Sequence, residues 1–274
     1  MFLAASGNVT QLYVIGQSGQ IDFNGRLDQK DIVQAGAVLL DEGLIVPLAG
    51  RLKLIPLGSG RKSVQDWLAP VGDKPTPPWK FLLRLDTDEV LTCHAGGLLT
   101  RIQVRMTDVP HLAEAAKIQL DHPVDIAPVQ REDSILVAEA DGSVRQLNWR
   151  TFDREGLRTM AAPVRGAWSI GSSWLVWSGD SKLQLVAEGR DLPVQWTFAL
   201  NDLEPVGAPI EENNQLWIAC RNGTVVVIDP KQGHEIGRRQ IPQALTMGLK
   251  RLDGSLFAVA CDGALYRLDA VAGQ

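Results

Sequence analysis

The stretch Leu216-Trp217-Ile218-Ala219-Cys220-Arg221-Asn222-Gly223-Thr224-Val225 decides how the chain is read. An apolar run meets Asn-Gly, and a second apolar segment follows at once. Asn-Gly and Asp-Gly pairs supply the positive φ of a type I′ turn, so the stretch predicts a tight β-hairpin. The run before the turn is almost continuously apolar, which implies a strand covered on both faces.

The same template recurs along the chain. Leu12 to Ile21 and Leu256 to Leu265 are clean copies, and Ile135 to Val144 keeps the gap from aliphatic residue to Gly142. Weaker copies centre on Gly50, Gly97 and Ser181. The anchors Gly19, Gly50, Gly97, Gly142, Ser181, Gly223 and Gly263 are separated by 31, 47, 45, 39, 42 and 40 residues. A further strand precedes each hairpin, often led by a small residue (Gly36, Gly166, Gly207, Gly248). A fourth strand follows in most units, as at Glu235 to Ile241. Four antiparallel strands per unit, seven times over, predict an all-β seven-bladed β-propeller with four-stranded antiparallel blades. The small residues then have a cause, because first strands converge on a common axis. The blades are expected at 2–34, 35–70, 79–120, 124–160, 165–200, 206–241 and 246–270. The last blade lacks its outer strand. The whole of 1–274 reads as a single propeller domain, cut at both ends like a module excised from a larger bacterial protein.

Composition narrows the functions. The formal net charge is −5, whereas a protein that grips a phosphate backbone is usually basic. A 45% hydrophobic share supports a full core and excludes disorder. Cys93, Cys220 and Cys261 are too few for a disulfide framework, and no Cys-x-x-Cys spacing supports zinc. The odd count slightly favours a reducing, cytoplasmic setting. Met1 to Gly7 lacks the charged start of a signal peptide, and no run reaches the ~20 apolar residues that span a bilayer.

Two Pro-rich stretches, Arg61 to Lys80 and Arg105 to His122, read as surface insertions. Trp67 and Trp79 flank the first, with Arg61 and Lys62 nearby. Interface hot spots favour Trp and Arg, so Trp67, Trp79 and Arg61 are candidate partner-binding residues. The opposing reading pins both rings against the propeller side. Leu265 and Arg267 join the candidates, because they lie on the strand that no outer strand covers. Trp217, inside an apolar strand, is expected in the core. Trp168, Trp174, Trp177 and Trp196 crowd into blade five. His94 reads as a turn residue that could face the channel, and His111 and His122 as loop residues. The acidic segments Asp86-Thr87-Asp88-Glu89, Arg131-Glu132-Asp133 and Glu211-Glu212-Asn213-Asn214 fall between first and second strands and read as solvated turns. Calcium would need six or more oxygens at one point. No nucleophile, nucleotide or metal motif stands in context.

Gly207-Ala208-Pro209-Ile210, Leu216 to Ala219, Asn222-Gly223 and Val227-Ile228-Asp229-Pro230-Lys231-Gln232-Gly233 together resemble the PQQ-like propeller repeat. Residues 256–273 repeat the pattern, and 124–156 echo it. The family includes quinoprotein alcohol dehydrogenases and BamB-like outer-membrane assembly scaffolds, usually with eight blades. The resemblance implies a propeller with outer-strand tryptophans that dock neighbouring blades, a place that Trp196 alone can take here. Quinoprotein enzymes also carry adjacent cysteines, and none occur in this chain. The expectation is therefore a non-catalytic scaffold for protein–protein interaction, with no cofactor, metal, nucleic acid or membrane insertion. The alternative is a propeller enzyme or ligand sensor that uses the central channel, quinoprotein-like, hydrolase or lyase.

Overall fold

Every regular element in the residues that the computed structural model describes (2–6, 9–15, 20–28, 30–57, 62–70 and 77–268) is a β-strand. The strands form seven antiparallel meanders. Sheet one holds Phe2–Ser6, Val9–Ile15 and Ile21–Arg26, and sheet two holds Val38–Leu39, Gly43–Leu48, Arg51–Pro56 and Trp67–Leu68. Sheet three is Trp79–Arg84, Glu89–His94, Leu98–Arg105 and His111–Gln119, and sheet four is Val129–Arg131, Ser134–Ala138, Ser143–Asn148 and Arg154–Thr159. Sheet five is Val164–Ile170, Ser173–Ser178, Lys182–Ala187 and Val194–Ala199. Sheet six is Ile210–Glu212, Gln215–Ala219, Thr224–Ile228 and Glu235–Gln240, and sheet seven is Lys250–Leu252, Ser255–Val259 and Leu265–Leu268. Among the described residues the count of seven and the three-stranded last sheet match expectation. Sheet one also has three strands among the described residues, where four were expected.

At Gly97, Ser181, Gly223 and Gly263 the hairpins are three-residue loops, not the expected two-residue type I′ turns; at Gly50 the loop has two residues, Ala49 and Gly50, but only Gly50 has positive φ. In sheet six the Gly223 N–H donates to the Cys220 carbonyl at 3.0 Å, and the Cys220 N–H donates to Thr224 at 2.8 Å. Gly223 alone in this loop has positive φ, +87°. A type I turn followed by one left-handed residue closes a hairpin this way. Asn222 contributes its side chain instead, since its Oδ1 accepts from the Thr224 N–H at 3.1 Å. Asp141 and Asp262 do the same for Ser143 and Ala264 at 2.8 and 2.9 Å. These side-chain turns explain Asp or Asn before Gly. Paired positive φ occurs between first and second strands, at Asn213 and Asn214 (51° and 58°) and at Asp253 and Gly254 (46° and 72°).

Two backbone hydrogen bonds recur from sheet to sheet. The residue just past the second strand donates to the linker before the first, as Ala49 to Ile32, Ala95 to Pro78, Ala140 to Pro123, Arg221 to Glu204 and Cys261 to Ala244. The residue just past the fourth strand donates to the anchor carbonyl: Ala69 to Gly50, Leu120 to Gly97, Met160 to Gly142, Leu200 to Ser181 and Ile241 to Gly223. All five of these donors are buried apolar residues. The anchors therefore mark where the fourth strand locks onto the third, and Gly19 lies outside the described residues.

Both supposed insertions contain outer strands. Trp67–Leu68 completes sheet two by pairing Leu52 with Trp67. His111–Gln119 pairs along all of Leu98–Arg105, with a bulge at Arg101/Ile102. Prolines drew attention away from the alternation in Leu112-Ala113-Glu114-Ala115. Proline is tolerated here because Pro110 sits just before the strand, where it withholds no ladder donor.

The chain divides into two compact units, Met1–Ala140 with Leu147–Arg154 and Asp141–Gln146 with Glu155–Gln274. In the first, Ile45, Leu52, Trp79, Val90 and Ile102 share one buried cluster. In the second, Trp217, Val225, Val227, Leu256 and Leu268 share another, so Trp217 is core as expected. Segments leading into the first strands of sheets six and seven touch. A Cβ on Gly207 would lie 2.2 Å from the Gly248 nitrogen, which accounts for the small residues at both positions.

Candidate functional site

Trp67 and Trp79 are both buried, contrary to the exposure expected of them. Trp79 opens the first strand of sheet three. Its indole Nε1–H donates to the Leu48 carbonyl at 2.7 Å, and its backbone N–H donates to Gln34 Oε1 at 3.1 Å. Its ring lies 5.8 Å from Trp67 and 4.0 Å from the His94 imidazole, centroid to centroid. The rings thus join sheets two and three instead of facing solvent. Lys62 is exposed, and Arg61 lies outside the described residues.

His94 is not a turn residue. It ends the second strand of sheet three and is 1% exposed. Its Nδ1 lies 2.9 Å from the Pro77 carbonyl, an acceptor only, so Nδ1 carries the proton. Nε2 is then a bare, buried lone pair without a partner. Burial pulls the His94 pKa below the ordinary histidine value, against the opposing effect of the Pro77 bond. The signal missed in the sequence was position: Thr92, Cys93 and His94 continue an apolar strand and share its burial.

Other reactive groups are similarly enclosed. The Cys93 and Cys220 thiols are buried, and desolvation pushes each up to about 12, far from a nucleophilic thiolate. Cys261 is exposed. The acidic turns sit between first and second strands as expected, but several are tied down. Arg101 lies 3.5 Å from Glu89, Arg150 lies 3.0 Å from Asp133, and Arg251 pairs with Glu212. Among the described residues no three His, Cys, Asp or Glu side chains gather as a metal site.

The remaining candidates, Leu265 and Arg267, are exposed on the outer strand of sheet seven. That strand pairs with Ser255–Val259 on one side, Val259 opposite Leu265 and Leu256 opposite Leu268. The Ala260 N–H bonds Ala264, which fixes the alternation: Ala264, Tyr266 and Leu268 turn their backbone groups inward. Leu265 and Arg267 therefore turn N–H and C=O to the outer edge, together with the Gly263 carbonyl. Among the described residues no strand covers this edge. In sheet six the equivalent third strand pairs Val225 with Arg239 and Val227 with Gly237.

A cavity of about 180 Å³ adjoins the end of that strand. Glu212, Trp217, Ser255, Leu256, Arg267 and Leu268 are among its lining. Trp217 is 2% exposed, and its Nε1–H is buried without an acceptor. Trp196 is better provided. Its Nε1–H donates to the Pro230 carbonyl at 2.8 Å, and its ring covers Gly233, where a Cβ would come within 2.5 Å. The outer strand of sheet five thus docks on the third-to-fourth-strand turn of sheet six.

No protein-family model matches the chain, and no curated protein matches it by sequence. Among solved structures it is similar to BamB from Moraxella catarrhalis, with 15% identity and a TM-score of 0.56 over 96% of this chain and 92% of that one. It is also similar to Sqt1 from Saccharomyces cerevisiae, with 12% identity and a TM-score of 0.71 over 97% of this chain and 78% of that one. At such identities the likeness speaks to fold alone. The fold is an all-β propeller, and the seven sheets are its blades.

Proposed function

We propose that this propeller is a non-catalytic scaffold that binds a protein partner, and that it does so along the outer edge of sheet seven. The observation that carries the reading is the outward backbone groups of Gly263 and Leu265, at positions where five other sheets supply a strand. Exposed edges pair readily with another chain. This edge carries little protection beyond the charge of Arg267. The enclosure of Cys93, Cys220 and His94 supports the same reading, since these three groups are spent on the core. The resemblance to BamB-like assembly scaffolds points the same way. What favours the PQQ-like repeat over other propeller repeats is the Trp196 indole on the Pro230 carbonyl, the docking that resemblance implies.

The test places a photo-crosslinking residue at Leu265 or, as control, at Leu252, which is similarly exposed (55% and 47%) on the opposite margin of the same sheet. A defined protein adduct is expected at Leu265 only, and Gly263→Ala should abolish it while the protein stays folded by circular dichroism. Adducts equal at both positions, or unaffected by Gly263→Ala, would refute the edge as the binding site.

A further inference from the structure

Five sheets of this protein specify what an outer strand must look like. In each, the residue just past the fourth strand is buried and apolar (Ala69, Leu120, Met160, Leu200, Ile241) and donates to the anchor carbonyl. One residue earlier, Leu68, Gln119, Ala199 and Gln240 pair with the residue after the anchor in sheets two, three, five and six. Transferred to sheet seven, this register places an aliphatic residue at the Gly263 carbonyl. Successive earlier residues then stand opposite Ala264, Leu265, Tyr266, Arg267 and Leu268. At its other end the strand would begin beside the cavity that Trp217, Arg267 and Leu268 line. In sheet six the residue opposite Ile228, which corresponds to Leu268, is Glu235. An acidic side chain there would lie on the Leu268 face and could accept from the unpartnered Trp217 indole. Glu212, the acid already in the lining, is paired with Arg251.

Resting on the scaffold reading above, we propose the chemistry of the partner. It is an extended protein segment that adds antiparallel to Leu265–Leu268, with an aliphatic residue at the Gly263 end and an acidic residue at the Trp217 end. Main-chain bonds to Gly263 and Leu265 give it affinity, and the two end residues give it register.

A fluorescein-labelled peptide with the sequence of residues 235–243, which carries both features, is the probe. Saturable binding to the full chain is expected by fluorescence anisotropy. Leu265→Pro removes an outward N–H without touching the ladder to Ser255–Val259, and should weaken binding by about tenfold or more. Leu265→Ala keeps that N–H and should bind within about threefold. Trp217→Phe keeps an aromatic side chain, though a smaller one, and loses the donor. It should weaken the peptide with glutamate opposite Leu268 and leave an alanine version of that peptide unchanged. Binding insensitive to Leu265→Pro, or none up to about 1 mM peptide, would overturn the proposal. So would sedimentation showing that two copies of the chain occupy each other's edge. If the crosslink at Leu265 forms while the peptide fails, the scaffold reading stands and the proposed register falls. Loss of the crosslink removes both.

Discussion

Trp217 stands opposite Ile210 and Val227 and packs in the cluster that holds Leu256 and Leu268. Truncation to alanine enlarges the cavity that Trp217 already lines and strips the cluster of its largest side chain. Trp217→Ala should therefore cost about 3–5 kcal/mol, read as a lowered denaturation midpoint. Trp217→Phe should cost much less, since it removes an N–H that has no acceptor. His94 makes a second residue-scale prediction. Its folded pKa lies below the ordinary value of 6.5, so the unfolded chain binds the proton more readily. Stability from this group is complete above about pH 6.5 and is lost as pH falls through the folded pKa. His94→Gln keeps a donor for the Pro77 carbonyl and does not titrate. Its midpoint should fall less between pH 7 and pH 5 than that of the parent protein. Equal slopes would show that His94 is not held neutral. Burial of His94, like that of Trp67 and Trp79, was hidden in the sequence because it depends on which sheet faces which. No spacing within one blade reports that.

At the scale of the element, the anchors do two jobs. They turn the hairpin with a left-handed backbone, and their carbonyl receives the end of the fourth strand. Only the first job depends on φ, and the series separates them. Ser181 takes φ +59° where the other described anchors are glycine. A left-handed non-glycine residue costs about 1–2 kcal/mol, so Ser181→Gly should raise the denaturation midpoint by an amount of that order. Gly223→Ala adds a clash to the φ penalty, because its Cβ would lie 2.5 Å from the Ile241 and Gln243 carbonyl oxygens. At Gly263 nothing lies within 4 Å of the same Cβ. Gly223→Ala should therefore destabilise more than Gly263→Ala, by thermal unfolding of both. If the two cost the same, the end of the fourth strand does not press on the anchor. These glycines were legible in the sequence because the hairpin demands them locally. The turn type was not, since Asp-Gly suits both a two-residue and a three-residue loop. The outer strands Trp67–Leu68 and His111–Gln119 were missed because prolines nearby resemble loop chemistry.

For the whole molecule, the repeat period carried the fold. Seven anchors at near-regular intervals sufficed for an all-β propeller, and similarity to solved structures agrees. The candidate site was half legible. Leu265 and Arg267 followed from the missing strand, whereas the cavity beside Trp217 needs two sheets in place before it exists. A chain without the adjacent cysteines and most docking tryptophans of quinoprotein enzymes should retain no quinone after incubation with PQQ and calcium and desalting. A stoichiometric quinone absorbance would refute that. The central claim is that sheet seven offers an open edge where its neighbour does not. Native-state hydrogen exchange at four amides tests it most directly: Leu265 and Arg267 against Val225 and Val227, their counterparts in sheet six. The account predicts that Leu265 and Arg267 exchange orders of magnitude faster, since no strand among the described residues covers their edge and the N–H groups of the valines meet Glu235–Gln240. Protection of Leu265 and Arg267 equal to that of the two valines, in the isolated protein, would contradict it.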